Sequence, residues 1–252
     1  MNKLNSLSIF FPCLNDGQSL SNLVPKAFNT AGKFTKDIEI IIIDDGSTDD
    51  SLAELQKLSK KYPLQIISHK KTLGYGAALI DGFKHATKDW VFYTDGDWQY
   101  DPDELPKLVE KLTDTTDVVN GYKINRSDPI IRRLVGDLYN FGLHHIFPLP
   151  IYDIDCDFRL IKRSYLQKIN LNSKSASICL ELILKLSRAN ASFAQAGVHH
   201  YKRPYGNSKF FNLKNILETL FKDNIRLFLE FYSKDYPFLK PILKIINRLF
   251  PA

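Results

Sequence analysis

Short apolar runs alternate with stretches of helical periodicity over the first two-thirds of the chain. Residues 6–11 (SLSIFF), 38–44 (IEIIIID), 64–69 (LQIISH), 89–95 (DWVFYTD) and 116–121 (TDVVNG) predict strands. Most are too continuously apolar for a sheet with one wet face. Residues 19–31, 50–61, 77–86 and 103–112 predict helices. Leu52, Leu55 and Leu58 recur with helical spacing, and the acids opening 103–112 suit a helix N-terminus. This alternation predicts an α/β fold with a mostly parallel sheet flanked by helices. Ligands then gather at the carboxyl ends of the strands.

The pattern changes toward the C-terminus. Residues 211–232 predict a helix with Leu213, Ile216, Leu217, Leu220, Phe221 and Phe228 on one stripe. In 238–250, Lys240, Lys244 and Arg248 form one cationic line beside an apolar line of Phe238, Ile242, Ile245 and Leu249. That is the pattern of an amphipathic helix on a membrane surface, although periodicity alone also fits packing on the body. The expected division is a catalytic domain over 1–205 and a C-terminal amphipathic helical segment over 206–252.

Composition narrows the class. The 252 residues are 44% hydrophobic and 25% charged, which excludes disordered, collagenous and coiled-coil chains. Residues 199–252 hold ten Lys/Arg against four Asp/Glu, so the whole net charge of +6 resides there, together with 11 of the 31 aromatics. An anionic partner surface is implied, lipid or nucleic acid. Three cysteines make neither a disulfide framework nor a zinc site, and read as small buried fillers. The N-terminus is a poor signal peptide, and no run approaches the ~18 apolar residues of a membrane span. These features predict a cytoplasmic protein without transmembrane helices.

Acids cluster where the predicted strands end. Asp95 and Asp97 flank Gly96 just after an apolar strand, and Gly96 is expected to let the backbone turn so that both carboxylates converge. Two carboxylates ~5 Å apart repel by about 3 kcal/mol at an effective dielectric near 20, which a cation relieves. Oxygen donors suit Mg²⁺ or Mn²⁺, and Gln99 offers one more. An isolated DGD is a solvated turn, but here Asp101 and Asp103 already supply the capping acids. Asp44 and Asp45 end the most apolar strand and are read as ligand contacts, with Ser47–Asp50 as turn and cap. Gly74–Gly82 lacks the third glycine of a dinucleotide fingerprint, and no P-loop exists; Gly74 and Gly76 are expected to bring a loop close to a ligand. Asp153, Asp155 and Asp157 alternate further on, with Asp153 read as a turn residue. The six histidines lack metal-ligand spacing.

Five motifs in order, PCLND (12–16), IDDGSTD (43–49), GYGAAL (74–79), TDGDWQYDP (94–102) and DCDFRLIKRS (155–164), resemble family 2 glycosyltransferases of the GT-A fold. Within that family the chain resembles the dolichyl-phosphate mannose synthase and bactoprenol-phosphate glucosyltransferase branch, over roughly residues 6–210. The resemblance implies that Pro12, Asp16, Asp44, Asp45, Asp95 and Gly96 bind the nucleotide-sugar, and that Asp95, Asp97 and Gln99 hold Mg²⁺ or Mn²⁺. It implies Asp157 as catalytic base and Arg126, Arg132 and Arg133 as acceptor-phosphate contacts, and places His199 or His200 near the donor diphosphate. Two departures stand out: Leu14 and Asp16 replace an aromatic and a glutamate, and Gly136 replaces a serine. Many relatives also carry C-terminal transmembrane hairpins, which this sequence lacks.

The implied activity is metal-dependent, inverting transfer of a hexose from a UDP- or GDP-sugar to a polyprenyl phosphate, at the inner face of the cell membrane and without nucleic acid. Rival readings are a glycosyltransferase acting on a glycan hydroxyl and a non-catalytic nucleotide- or lipid-binding subunit.

Overall fold

The computed structural model of the chain describes residues 4–127, 130–205 and 223–249. Among these, seven strands form one sheet: β1 (Leu7–Cys13), β2 (Ile38–Asp44), β3 (Leu64–Ser68), β4 (Trp90–Thr94), β5 (Val118–Ile124), β6 (Phe158–Lys162) and β7 (Phe193–His199). Their spatial order is β3-β2-β1-β4-β6-β5-β7. Only β6 opposes its neighbours; the other four pairings are parallel. The expected mostly parallel sheet is observed, with two strands beyond the five that the pattern predicts.

Continuous apolar runs form the central strands because both faces are covered. Leu7, Ile9 and Phe11 of β1, with Ile40 and Ile42 of β2, enter one core with α1 (Gly17–Ala31) and α2 (Ser51–Leu58). The alternate residues Phe10, Ile41 and Ile43 enter the other core, with α3 (Tyr75–His85). Strand periodicity of two thus becomes burial on two sides.

The helix expected over 103–112 is shorter. A 3-10 turn at Pro102–Glu104 leads into α4 (Leu105–Val109). Pro102 and Pro106 each remove a backbone donor, and Thr113–Thr116 closes a hydroxyl-bonded turn, with Thr113 N–H donating to Thr116 Oγ1 at 3.1 Å. Three further helices follow: α5 (Ile130–Ile146), α6 (Arg163–Leu166) and α7 (Ile178–Arg188).

Of the helix expected over 211–232, residues 211–222 lie outside the described part; the remainder holds α8 (Asn224–Tyr232). Leu227 of α8 is buried in the second core, and Phe231 and Tyr232 pack around Phe147 with ring centroids 5.6 and 6.1 Å away. The last helix, α9 (Lys240–Leu249), follows a 3-10 turn, with Phe238, Ile242 and Ile245 exposed. No described helix is long and apolar enough to cross a membrane.

Gly142 lies inside α5, where an added Cβ meets nothing within 4 Å. Glycine in a helix interior costs roughly 0.5–1 kcal/mol relative to alanine. Gly142→Ala is therefore expected to raise unfolding stability by about that amount in urea titrations. A fall in stability would show that this position needs its glycine.

Candidate active site

Antiparallel β6 determines the site. Its first residue lies at the edge where the parallel strands end, and Phe158 pairs with Thr94. Asp157 and Asp95, 62 positions apart in sequence, consequently flank one strand boundary. Asp44, at the end of β2, belongs to the same edge.

The loop after β4 is shaped by its backbone. Gly96 does not have the positive φ of a left-handed glycine; it is needed for space, because a Cβ would lie 2.6 Å from the Pro12 carbonyl oxygen. The left-handed residue is Trp98, at φ 63° between Asp97 and Gln99. An aromatic residue held there stores of order 1–3 kcal/mol. The convergence expected from a flexible glycine thus arises from close loop packing and a strained tryptophan. Asn15, a residue type that adopts the left-handed region readily, does so at φ 62° just before Asp16 on the neighbouring loop.

The carboxylates interact strongly. Tyr75 Oη donates to Asp95 Oδ1 at 2.8 Å. Burial, then the negative charges of Asp157 and Asp97, push the Asp95 carboxyl well above its ordinary range. Asp16 begins α1 without capping it; burial raises its pKa to about 6, against Arg203 and reinforced by Asp97. Arg203 joins two loops: one guanidinium nitrogen donates to Asp16 Oδ1 and another lies 3.4 Å from Asp97 Oδ2. The segment carrying Arg203 is tied to the acidic loop, as Tyr201 N–H donates to Gln99 O at 2.8 Å and Gln99 Nε2 to Tyr201 O at 3.1 Å. The Gln99 amide is therefore engaged in holding this segment. His199 is likewise held by Glu104, 2.5 Å from its Nδ1.

Asp157 rests on a buried polar network. Its Oδ1 accepts from Tyr93 Oη at 3.1 Å, Arg159 Nη1 at 3.2 Å and Cys179 Sγ at 3.3 Å. Arg159 is fully buried, and its other donors reach Asn120 Oδ1, Tyr93 Oη and the Ile154 carbonyl. Cys179 is thus a hydrogen-bond donor as well as an apolar filler. Asp153 pairs with Lys123 at 3.2 Å, in keeping with a turn residue, while burial pushes Asp155 up to about 6, opposed by Lys123.

At the end of β2, Asp44 Oδ1 accepts from Ser47 N–H at 3.0 Å. Asp45 is committed within the chain: Oδ1 accepts from Leu73 N–H (2.8 Å) and faces His69 Nδ1 (2.7 Å), and Oδ2 accepts from Gly74 N–H (3.0 Å). Gly74 (φ 110°) and Gly76 press on backbone, not on open space. Added Cβ atoms would meet Lys174 O at 2.5 Å and Ser173 O at 2.1 Å, so the ligand-approach expectation gives way to packing against the 173–174 turn.

The three arginines of the expected acceptor region differ in setting. Arg126 Nη1 pairs with Asp137 of α5 at 3.1 Å, and a Cβ on Gly136 would lie 3.4 Å from its Nη2. Arg133 is exposed; Arg132 lies on α5, its side chain outside the described part. Alongside them α5 exposes Ile130, Leu134, Val135, Leu138 and Phe141, an apolar face outside the helices that the periodicity predicts. Arg203, Tyr75, Tyr93 and Arg159 also join the site, without a role that the motifs assign them; no local spacing ties Arg203 to Asp16, 187 residues away.

Among the described residues no three His, Cys, Asp or Glu side chains are arranged to hold a metal by themselves. Asp95 and Asp97 are nevertheless hard oxygen donors under mutual repulsion. They fit a divalent cation whose shell is completed by substrate oxygens.

Residues 8–170 match the sequence profile of Glycosyl transferase family 2. Over 221 residues the chain is 29% identical to the undecaprenyl-phosphate 4-deoxy-4-formamido-L-arabinose transferases of Salmonella choleraesuis and Salmonella typhimurium, spanning 86% of this chain and 67% of theirs. The solved glucosyl-3-phosphoglycerate synthase of Mycobacterium tuberculosis, in complex with Mn²⁺, UDP-glucose and phosphoglyceric acid, superposes with a TM-score of 0.68 at 16% identity. That match covers 91% of this chain and 79% of the synthase. At such identity the likeness concerns the GT-A fold alone.

Proposed function

Because the chain belongs to glycosyl transferase family 2, we propose that it transfers a sugar from a nucleoside-diphosphate donor to a polyprenyl phosphate, with inversion at the anomeric carbon. The observation that carries the lipid-phosphate reading is α5, whose exposed apolar face runs beside Arg126 and Arg133. A phosphate on a long hydrocarbon calls for that combination. The names of the Salmonella relatives agree. Those relatives are named for a modified pentose, whereas the motif resemblance implies a hexose.

In this proposal Asp16 and Asp44 contact the nucleoside, and Asp45 acts through the 73–75 loop that it holds. Asp95 and Asp97 would hold Mg²⁺ or Mn²⁺, which supplies charge neutralisation for the departing diphosphate. Arg203, between Asp16 and Asp97, is placed to add positive charge on the same side. Asp157 is oriented by Tyr93, Arg159 and Cys179 toward the acceptor, where it aligns the attacking oxygen. Residues 1–205 would form the catalytic domain, and 206–252 with α5 would rest on anionic lipid, each surface lysine adding about 1 kcal/mol.

The test mixes the full chain with UDP- and GDP-hexoses and UDP-4-deoxy-4-formamido-arabinose, Mn²⁺ or Mg²⁺, and vesicles containing undecaprenyl or dolichyl phosphate. The expected result is a lipid-linked sugar formed from one donor, with salt-sensitive vesicle binding that weakens when 238–252 is deleted. Transfer to glycan hydroxyls alone, or no donor consumed, would refute the proposal.

A further inference from the structure

His69 directly follows β3 at the same sheet edge, yet no part of the reaction uses it. Its side chain is buried, and its two ring nitrogens face two carboxylates: Asp45 Oδ1 at 2.7 Å from Nδ1 and Asp81 Oδ2 at 3.0 Å from Nε2. A neutral imidazole donates from one nitrogen only, so it would turn a lone pair toward one carboxylate; the imidazolium donates to both. Burial opposes the charged form, but the hydrogen bonds it donates to Asp45 and Asp81 outweigh burial and raise the His69 pKa.

The charged groups around the ring are few. Asp45 approaches from the end of β2 and Asp81 from α3, and Lys84 of α3 lies 3.6 Å from the other Asp81 oxygen. Lys70 and Lys71 follow His69 in the chain and are exposed. The cluster leads directly to the site. Asp45 holds Leu73 N–H and Gly74 N–H, and the next residue, Tyr75, donates to Asp95.

We propose that His69 is a positioning residue: as an imidazolium it clamps Asp45 and Asp81 together and so sets the 73–75 loop, and donor binding weakens when its proton is lost. This rests on the nucleotide-sugar reading above. The sign follows from the geometry. The clamp is complete at pH below the His69 titration in the folded chain and loses one carboxylate contact as pH rises through it.

The experiment measures nucleotide-sugar affinity by calorimetry from pH 6 to 9.5, alongside NMR titration of the His69 imidazole. In the wild type, affinity is expected to fall about tenfold, the scale of one charge-assisted hydrogen bond, in step with the imidazole signal. His69→Arg keeps a cation across both carboxylates and should flatten the profile while staying within about threefold of wild-type affinity at pH 7. Asp81→Asn, at a partly exposed position that tolerates the change, should move both the imidazole titration and the affinity limb to lower pH. An unaltered limb in His69→Arg, or an Asp81→Asn limb that stays put while the imidazole titration shifts, overturns the positioning role. Absence of nucleotide-sugar binding at every pH in the wild type would instead defeat the functional reading, and this role with it.

Discussion

Asp95→Asn is expected to yield a chain that folds, gains stability at neutral pH and loses transfer activity by on the order of 10³-fold. The amide has the shape of the carboxyl and still accepts from Tyr75 Oη, 2.8 Å away in the native chain. What it lacks is charge. Burial, Asp157 and Asp97 hold the native Asp95 carboxyl well above its ordinary range, so the folded state keeps a proton that the unfolded state releases. Stability is then greatest below the unfolded value, ~3.9, and declines as pH rises toward the folded one. The amide variant escapes that decline. With chelator present, its melting temperature should match the wild type near pH 3.5 and exceed it increasingly at higher pH. The activity loss has the opposite origin, since the carboxylate that is costly in the free site is what a cation beside the diphosphate binds once it displaces the proton. A variant that transfers sugar at the native rate would refute the metal role. One that melts lower across the pH range would refute the repulsion.

The extent to which the sequence reveals this arrangement differs between elements. β1, β2 and β4 are legible because strands buried on both faces must be apolar at every position, and few other structures require that. β6 escapes notice because Arg159 and Lys162 interrupt FRLIK, although Arg159 is fully buried through partners that only the fold supplies. β7, reading FAQAGVH, lacks the β-branched density of a central strand and lies at the sheet edge. α5 contains Gly136 and Gly142 and exposes much of its apolar surface, so neither propensity nor a single buried stripe marks it.

The site divides along a similar line. Acids at the ends of legible strands are visible in sequence because topology sends those ends to one edge; this covers Asp44, Asp95 and Asp97, whereas Asp16 and Asp157 are marked only by the motifs PCLND and DCDFRLIKRS. Their partners come from elsewhere: Arg203 reaches Asp16, Cys179 reaches Asp157, and His69 reaches Asp45. None has a local pattern, because what selects it is the charge or lone pair it meets in space. Asp45 illustrates the consequence. A paired aspartate after a buried strand reads as a ligand contact, yet its oxygens already serve Leu73, Gly74 and His69.

Asp157→Asn separates the two acceptor classes, and its expected effects follow from the network beneath it. Asparagine can still accept from Tyr93 Oη and Cys179 Sγ, but Arg159 loses the counter-charge 3.2 Å from Nη1. With Arg159 fully buried among neutral partners, a loss of about 2–3 kcal/mol in stability is expected, so kinetics belong well below the variant's lowered melting temperature. A phosphomonoester acceptor, with its second pKa near ~6, is already mostly dianionic at pH 7.5 and needs no base. Transfer to polyprenyl phosphate should then fall only about 10–100-fold, through misalignment, and the pH–rate profile should keep its native shape. A hydroxyl acceptor needs its proton removed, a contribution of up to ~10⁴-fold, so removing the carboxylate would nearly abolish turnover and erase the acidic limb. The shape of that profile, more than the size of the loss, decides whether Asp157 aligns an anion or deprotonates an alcohol.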